Sequence, residues 1–340
     1  MKHLARTLFV SALLVLTLIL AGCGSTTSGG GGTNGAKLDV AFLPKAINNP
    51  YFDAAAGGGK KAAAELKGTF KQVGPSQANA ADQVPFIQTL TQQQVSAIVV
   101  SANDPNALAP ALKQAQSKGI KVVSYDSDVA PDARSIFINQ ASTEDIGRTE
   151  VQVLGAQLNY TGDIAILSAT STATNQNAWI DFMKQELSLP KYANMKLVKI
   201  AYGNDDDQTS YNQTQALVQA YPNLKGIISP TTVGIAAAAR YLEANNLAGK
   251  IALTGLGTPN GLRKYVKDNT IKQFELWDVG HLGYLAYYAA ASLVQGKITG
   301  KSGETFTAGT LGSYTIGDKG TVLLGKPTVF DASNIDQFNF

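Results

Sequence analysis

Polar and aromatic side chains follow nearly every apolar, strand-like run in this chain. These segments carry amides, hydroxyls, carboxylates, a lysine and aromatic rings, with few large aliphatic residues. Amides and carboxylates hydrogen-bond to hydroxyl groups, and an aromatic face packs on the C–H face of a sugar ring, so their composition favours binding of a sugar. The segments are 43–52, 101–107, 125–129, 168–177, 229–234, 255–261 and 276–280.

The elements that must position these side chains alternate regularly along the chain. Short apolar runs, several of them apolar throughout, are typical of strands covered on both faces, and the longer segments between them have helical spacing. This alternation predicts βαβ units and parallel sheets, in which ligands bind beyond the carboxyl ends of the strands. The predicted strands are 38–43, 97–101, 121–125, 163–167, 196–201, 225–229, 251–256 and 271–276. The predicted helices are 52–66, 82–94, 106–117, 143–158, 177–187, 207–220, 234–245 and 259–267.

Residues that usually carry catalysis are scarce. Cys23 is the only cysteine, and the two histidines are His3 and His281, so the chain offers neither a thiol-based metal site nor an evident acid–base set. The acidic run at 204–207 lacks the spaced ligands of a calcium loop and is interpreted as a solvated helix start. We therefore expect no cofactor, no metal and no enzyme activity; an extracellular enzyme would need a nucleophile–base pair that is not apparent.

Residues 1–22 have the pattern of an export signal, with Lys2 and Arg6 before an apolar stretch. That stretch is shorter than the roughly 20 residues of a membrane-spanning helix. The sequence LAGC that ends at Cys23 resembles a bacterial lipobox, which implies cleavage before Cys23 and a diacylglycerol on its sulfur. The alternative is an ordinary secretory signal with a chance cysteine. Either reading places the protein outside the cytoplasmic membrane.

Residues 23–36 join the predicted lipidated cysteine to a Gly/Ser/Thr-rich tether whose composition forms no core. Removal of residues 1–22 leaves a net charge of about +1, which does not favour nucleic acid as a partner. The remaining structured residues exceed what one core usually supports, so two lobes are expected.

Six segments, in order along residues 37–340, resemble the periplasmic binding protein type I family of ribose-binding type. The resemblance is strongest to the rhamnose-binding and autoinducer-2-binding receptors of ABC transporters. Autoinducer-2 receptors carry an acidic residue where this chain has Asn175, and an alanine where it has Thr232; both differences favour the rhamnose-like branch. The segments are FLPK…NPYFDAA (42–55), VVSYDSDVAPDARSIFINQ (122–140), AILSATSTATNQNAWI (165–180), LKGIISPTTVGIAAAAR (224–240), LTGLGTPN (253–260) and the ending NIDQFNF.

The resemblance implies an α/β fold of two doubly wound parallel-sheet lobes, joined by a multi-crossover hinge, with the ligand cleft between them. Residues 37–139 with 280–310 are expected to form the N-terminal lobe, and residues 140–279 with 311–340 the C-terminal lobe. The implied function is capture of a monosaccharide such as rhamnose by hinge closure and delivery to an ABC permease. An autoinducer-2 receptor and a sensory module that hands the liganded receptor to a membrane kinase are the alternatives. The protein is expected to be a monomer held to the membrane by its lipid.

The resemblance also implies ligand-binding residues, several of which have a structural alternative. Asp126 matches the acid that accepts sugar hydroxyls, and a turn aspartate is its alternative; Lys45 is otherwise a solvated loop lysine. Asn175, Asn103 and Asp104 are otherwise helix caps. One ring of Tyr51 and Phe52 stacks on the sugar while the other anchors a helix, and Trp277 is a ring platform or hinge packing. The full set is Lys45, Asn49, Tyr51, Phe52, Asn103, Asp104, Asp126, Asn175, Gln176, Pro230, Thr232, Trp277 and Asp278.

Overall fold

The computed structural model describes residues 37–340, which lie within one compact unit. Cys23, the signal and the tether predicted for residues 1–36 lie outside the described residues. The strands are β1 (Asp39–Leu43), β2 (Thr69–Gln72), β3 (Ala97–Val100), β4 (Lys121–Tyr125), β5 (Ile136–Asn139), β6 (Thr161–Ser168), β7 (Asn194–Tyr202), β8 (Leu224–Ser229), β9 (Ala252–Gly255), β10 (Phe274–Leu276), β11 (Thr305–Thr307), β12 (Ser313–Thr315), β13 (Thr321–Leu323) and β14 (Thr328–Phe330). The helices are α1 (Pro50–Glu65), α2 (Ala80–Gln92), α3 (Pro105–Ser117), α4 (Thr143–Gln157), α5 (Thr174–Leu187), α6 (Asp207–Ala220), α7 (Thr232–Ala244), α8 (Pro259–Lys267) and α9 (Val279–Val294).

The first sheet has the strand order β13-β5-β4-β3-β1-β2, and all of its pairings are parallel. Side chains alternate between its two faces: Val40 and Phe42 pack in the core shared with α1 and α9, whereas Ala41 and Leu43 pack in a separate core under α2 and α3. Both faces are therefore covered, which explains the apolar strands. The order reverses between β1 and β3, so the segments after these two strands flank a topological switch point.

The second sheet has the order β7-β6-β8-β9, again with parallel pairing. Helices α4 and α5 pack together beside it, as do α6 and α7. Its order reverses between β6 and β8, which places the segments after these strands at a second switch point. Strand β10 pairs antiparallel with β14 and bridges to Leu256 just after β9. The regular alternation in the sequence thus produces two parallel α/β sheets, as predicted.

Helix α9 packs closely against α1 because glycines remove side chains at their contact. A Cβ on Gly283 would lie 1.9 Å from the Ala55 carbonyl oxygen, and one on Gly58 would lie 1.8 Å from the Gly280 carbonyl oxygen. No side chain fits at either position. The close approach fixes the start of α9, which follows directly on the β10 segment that carries Trp277.

The sequence prediction missed several elements, each for an identifiable reason. Helix α9 is buried on almost every side, so its sequence lacks the helical hydrophobic period. Strand β2 is a half-exposed edge strand, and β11 to β14 have three residues each. One expected boundary is wrong: residues 321–323 pair with β5 in the first sheet, although 311–340 were expected in the second lobe. Within residues 37–340, no helix is both long enough and apolar enough to cross a membrane.

Candidate functional site

Asp126 lies at the carboxyl end of β4 and is the centre of a buried hydrogen-bond network. It is 5% exposed and adopts a positive φ of 60°, a conformation that aspartate tolerates better than most residues. Its Oδ2 accepts a hydrogen bond from Ser101 Oγ at 2.6 Å, and its Oδ1 accepts from Tyr51 at 3.2 Å and from Asn175 Nδ2 at 3.0 Å. The carboxylate therefore accepts hydrogen bonds from the segment just after β3, from α1 and from α5.

Lys45 supplies the positive charge of the same network. Its side chain is 3% exposed, and its Nζ lies 3.8 Å from Asp126 Oδ2. The Nζ donates to Asn175 Oδ1 at 3.0 Å and to Gln176 Oε1 at 3.2 Å, so the ammonium is solvated by amides as well as by the carboxylate. A buried ion pair needs such additional bonds to offset its desolvation. We call Lys45, Asp126, Asn175 and Gln176 the binding cluster; it joins the switch points of the two sheets.

The first turn of α5 presents Asn175 and Gln176 to the first sheet. The N-cap of α5 is Ala173, so Asn175 is not the helix cap that was its structural alternative. Its side chain instead bridges Asp126 and Lys45. Gln176 Nε2 lies 3.5 Å from the Pro230 carbonyl oxygen, which connects the turn after β6 with the turn after β8.

Aromatic rings close one side of the cluster. Asn49 caps α1 by accepting from the Tyr51 N–H, which fixes Tyr51 and Phe52 in the first helical turn. Trp277 Nε1 donates to the Tyr51 hydroxyl at 3.0 Å, and Tyr51 packs edge-on against both Phe52 and Trp277. Burial, and then the charge of Asp126, raise the pKa of Tyr51 well above its ordinary value. Tyr51 therefore remains a neutral donor to the carboxylate.

The turn after β8 contributes backbone groups. Thr231 is the N-cap of α7 without a capping side-chain bond, and Thr232 begins the helix. The N–H groups of a first helical turn have no partner within the helix and are available to a ligand oxygen. The Thr231 hydroxyl donates instead to Asp205, which lies in the turn after β7.

Asp205 is a residue that sequence reasoning missed. It lines the cavity of the binding cluster, whereas the run 204–207 was interpreted as a solvated helix start; only Asp206 is the cap of α6. Burial raises the pKa of the Asp205 carboxyl, and the charge of Lys45 and the hydrogen bond from Thr231 partly offset this rise. The sequence did contain a signal for Asp205, because it follows a parallel strand. The other candidates were selected by that same position.

The cluster and the rings line a small cavity of about 30 Å³, room for roughly two water molecules, so a small-molecule ligand requires the cleft to widen. Nine of the thirteen predicted residues line it, and Asn175 adjoins it through its bonds to Lys45 and Asp126. Its lining is Lys45, Asn49, Tyr51, Phe52, Asp126, Gln176, Trp179, Asp205, Pro230, Thr231, Thr232, Leu256, Leu276 and Trp277. Binding of a ligand by these residues stays a prediction.

The remaining three predicted residues lie outside the cavity. Asp104 caps α3 by accepting from the N–H groups of Asn106 and Ala107. Asp278 caps α9 by accepting from the N–H of His281, whose ring lies beside it. Each carboxylate serves a helix end and neither lines this cavity, so a role in ligand binding stays a prediction for both.

Asn103 does not line the cavity but bonds to the backbone of the loop that carries Lys45. Its Nδ2 donates to the Lys45 carbonyl oxygen at 2.8 Å, and its backbone N–H donates to Gln83 Oε1. Gln83 in turn donates to the carbonyl oxygens of Pro44 and Ser101. These bonds tie together the turns after β1 and β3, so Asn103 fixes the loop that carries Lys45.

Comparison with known proteins gives a consistent result. A family model described as a periplasmic binding protein domain matches residues 40–298. The solved structure of a sugar ABC transporter protein from Actinomyces odontolyticus is 48% identical, with a TM-score of 0.71, and the match covers 88% of this chain and 97% of that one. A solute-binding protein from Clostridium phytofermentas, solved with bound L-rhamnose, is 39% identical with a TM-score of 0.86, covering 88% and 98%.

Two further relatives differ in their ligands. LsrB from Clostridium saccharobutylicum, solved in complex with AI-2, is 25% identical with a TM-score of 0.84, and the match covers 88% of this chain and 99% of that one. The D-ribose/D-allose-binding protein of Pseudomonas aeruginosa is 22% identical over 243 residues, which are 69% of this chain and 75% of that protein.

Proposed function

This chain belongs to the periplasmic binding protein family, and from that premise we propose that it binds L-rhamnose or a closely similar deoxysugar for import. The resemblance predicted from the sequence is confirmed. The chain is a sugar ABC transporter solute-binding protein, which is not an enzyme, and its family places it outside the cytoplasm. The choice of sugar, the anchor at Cys23 and the monomeric state are parts of the proposal.

One observation carries the proposal: a buried, hydrogen-bonded cluster with one cation and one anion joins the ends of two parallel sheets beside a small cavity lined by polar groups and aromatic rings. Asp126 would accept two neighbouring hydroxyls, and Lys45 would donate to a third sugar oxygen. The Tyr51, Phe52 and Trp277 rings would meet the apolar face of the sugar.

Ligand capture then requires the two sheets to separate and close again about the crossovers. The bonds from Lys45 and Asp126 to Asn175 link the two sheets in this structure, and sugar hydroxyls would take over those same donors and acceptors. A sugar of the wrong stereochemistry would leave a buried polar group unpaired, which costs about 1–3 kcal/mol. No covalent bond changes, and the closed form would dock on a membrane permease.

The 39% identity to a protein solved with bound L-rhamnose supports this ligand over others. The second candidate is autoinducer-2, which is favoured by the similarity to LsrB. Asn175 argues against it, because the autoinducer-2 receptors resemble this chain but carry an acidic residue there.

Thermal unfolding with L-rhamnose, D-ribose and autoinducer-2 tests the proposal. A ligand at about 100 times its Kd raises the stability by about 2.7 kcal/mol, or roughly 4 °C for a chain of this size. We expect that rise with L-rhamnose. A rise with autoinducer-2 alone would transfer the function to the second candidate.

Calorimetric titration of the Asp126→Asn variant tests whether the sugar binds at this site. Asparagine tolerates the positive φ and keeps the shape, but it loses the charged acceptor of two hydroxyls. The loss of about 3 kcal/mol corresponds to an affinity at least about 100-fold lower. Asp53→Asn is the matched control, because Asp53 lies exposed on α1 and its removal is expected to leave the Kd unchanged. Equal affinities in both variants would place the site elsewhere.

A further inference from the structure

Two buried glutamates have no hydrogen-bond partner among the described residues. Glu150 on α4 and Glu275 on β10 are each 1% exposed, and neither oxygen of either carboxyl group is bonded. Two ionised carboxylates only accept hydrogen bonds, so they repel each other and cannot bond. A buried carboxyl group without a partner is costly in its charged form. We call these two residues the carboxyl pair.

The surroundings of the carboxyl pair add no positive charge. Helix α4 packs against β10, and the charge of Glu275 acts on Glu150, while that of Asp145, also on α4, acts on Glu275. The neighbouring strands β9 and β14 contain no charged residue. Arg148 on α4 is bonded to Glu144 and Glu186 instead.

The lysines of the other elements packed on α4 lie at the surface, away from the carboxyl pair. Lys184 of α5 pairs with Asp181 at the surface, and Lys225 of β8 is exposed. Burial, and then the charge of Glu275, raise the pKa of Glu150 well above its ordinary value; burial, and then Asp145, raise the pKa of Glu275 in the same direction. The physical causes all favour the protonated forms.

The carboxyl pair is connected to the cavity along β10. Glu275 is followed by Leu276 and Trp277, which both line the cavity, and Trp277 donates to Tyr51. The Glu275 backbone also joins Leu256, another lining residue, through a strand bridge. A displacement of β10 would therefore move three walls of the cavity together.

We propose that Glu150 and Glu275 hold α4 against β10 only while they are protonated, and that they are thereby positioning residues for Trp277. Loss of their protons leaves like charges in an apolar interior, which pushes β10 away from α4. Trp277 then leaves the position in which it orients Tyr51. The part of this inference that concerns sugar affinity rests on the proposed function.

Tryptophan fluorescence tests the inference without any ligand. The chain has two tryptophans, so Trp179→Phe leaves Trp277 as the single reporter. We expect its emission to shift between pH 5 and pH 9 in this background, and to stay constant when Glu150→Gln and Glu275→Gln are added. If the double variant does not fold, Glu150→Gln and Glu275→Gln are measured separately. Each is expected to reduce the pH-dependent shift of the Trp277 emission. An unchanged spectrum from pH 5 to pH 9 in the parent overturns the inference.

Glu186→Gln is the matched control. Glu186 is also buried, on α5, but it accepts bonds from Tyr192, Arg148 and Gln152. Burial opposes ionisation of this group, yet these bonds together lower its pKa below the ordinary value. It therefore stays ionised from pH 5 to pH 9, and its replacement is expected to leave the Trp277 shift in place.

Sugar titration supplies the second measurement, on the chain with both tryptophans. The Kd for L-rhamnose is expected to rise about tenfold from pH 5 to pH 9, and less than twofold in the double glutamine variant. A Kd that is equally pH-dependent in both proteins contradicts the inference. If L-rhamnose binds at no pH, the proposed function fails, and the fluorescence result still decides the positioning role.

Discussion

The binding cluster and the carboxyl pair are both connected to Trp277. They accommodate ionisable side chains in the protein interior in opposite ways. The binding cluster pairs one cation with one anion, and Ser101, Tyr51 and two amides supply further bonds. The carboxyl pair has two acids and no hydrogen-bond partner within residues 37–340. The first arrangement places opposite charges side by side, whereas burial raises the pKa of both acids in the second, which favours neutral groups.

The difference follows from what each group must do. A sugar site has to exchange bonds among its own side chains for bonds to hydroxyls, so its donors and acceptors must be charged or strongly polar and already oriented. The carboxyl pair does not line the cavity, and a protonated pair is compatible with a tightly packed interface. Removing the charge of Lys45 should therefore destabilise the protein, whereas replacing the two acids of the carboxyl pair by neutral amides should stabilise it.

The largest expected effect comes from Lys45→Met. The substitution shortens the unbranched side chain by one atom and leaves the buried charge of Asp126 without its cation, which should lower the free energy of unfolding by about 3 kcal/mol. Urea unfolding at pH 7 without sugar measures the change. The loss should shrink when Asp126→Asn is added, because the uncompensated charge is then removed.

The chain offers a matched control in Lys37→Met. Lys37 lies 3.8 Å from Asp39, the same separation as Lys45 from Asp126, but its side chain is 81% exposed. An exposed pair contributes at most about 1 kcal/mol, so this variant should be almost neutral. Equal losses in the two lysine variants would show that burial does not distinguish the two pairs.

A smaller effect of the opposite sign is expected from Glu150→Gln with Glu275→Gln. The pKa of each carboxyl group is raised in the folded protein, so the stability it contributes is complete below the ordinary value of 4.5 and is lost as pH rises through the raised value. The double variant avoids that loss. Its free energy of unfolding should exceed that of the parent by about 1–3 kcal/mol at pH 9, with a smaller difference at pH 4.5.

Urea unfolding from pH 4.5 to pH 9 measures this difference directly. Glu186→Gln should show no gain as pH rises, because the pKa of Glu186 is lowered and it remains ionised over this range. Parallel stability profiles for the parent and the double glutamine variant would contradict the view that the carboxyl pair carries an ionisation cost.

The binding cluster was accessible from the sequence, whereas the carboxyl pair was not. Lys45, Asp126, Asn175 and Gln176 each follow a parallel strand, and strand ends in such sheets meet at the ligand site. Glu150 and Glu275 lie within a helix and a strand, where a lone glutamate normally faces solvent. Only the packing of α4 on β10 brings them together, and that contact leaves no local pattern in the sequence.

The same reasoning explains the remaining differences between the predicted residues and the residues that line the cavity. Asp205 follows a strand as the others do, but its acidic neighbours suggested a solvated turn. Asp104 and Asp278 also follow strands, yet each is the residue just before a helix, where capping competes with ligand binding. Position after a strand therefore selects candidates but does not decide between capping and lining, since Asn49 caps α1 and also lines the cavity.

The smallest expected effect tests that distinction at Asp104. Asp104→Ala removes the cap of α3 and should cost about 1 kcal/mol of stability, while Asp104→Asn keeps a capping oxygen and should cost less. The Kd for L-rhamnose should stay within twofold of the parent in both variants, because the carboxylate bonds to the helix end and does not line the cavity. An affinity loss in Asp104→Asn comparable to that in Asp126→Asn would instead make charge at this position part of sugar recognition, since the asparagine retains the cap.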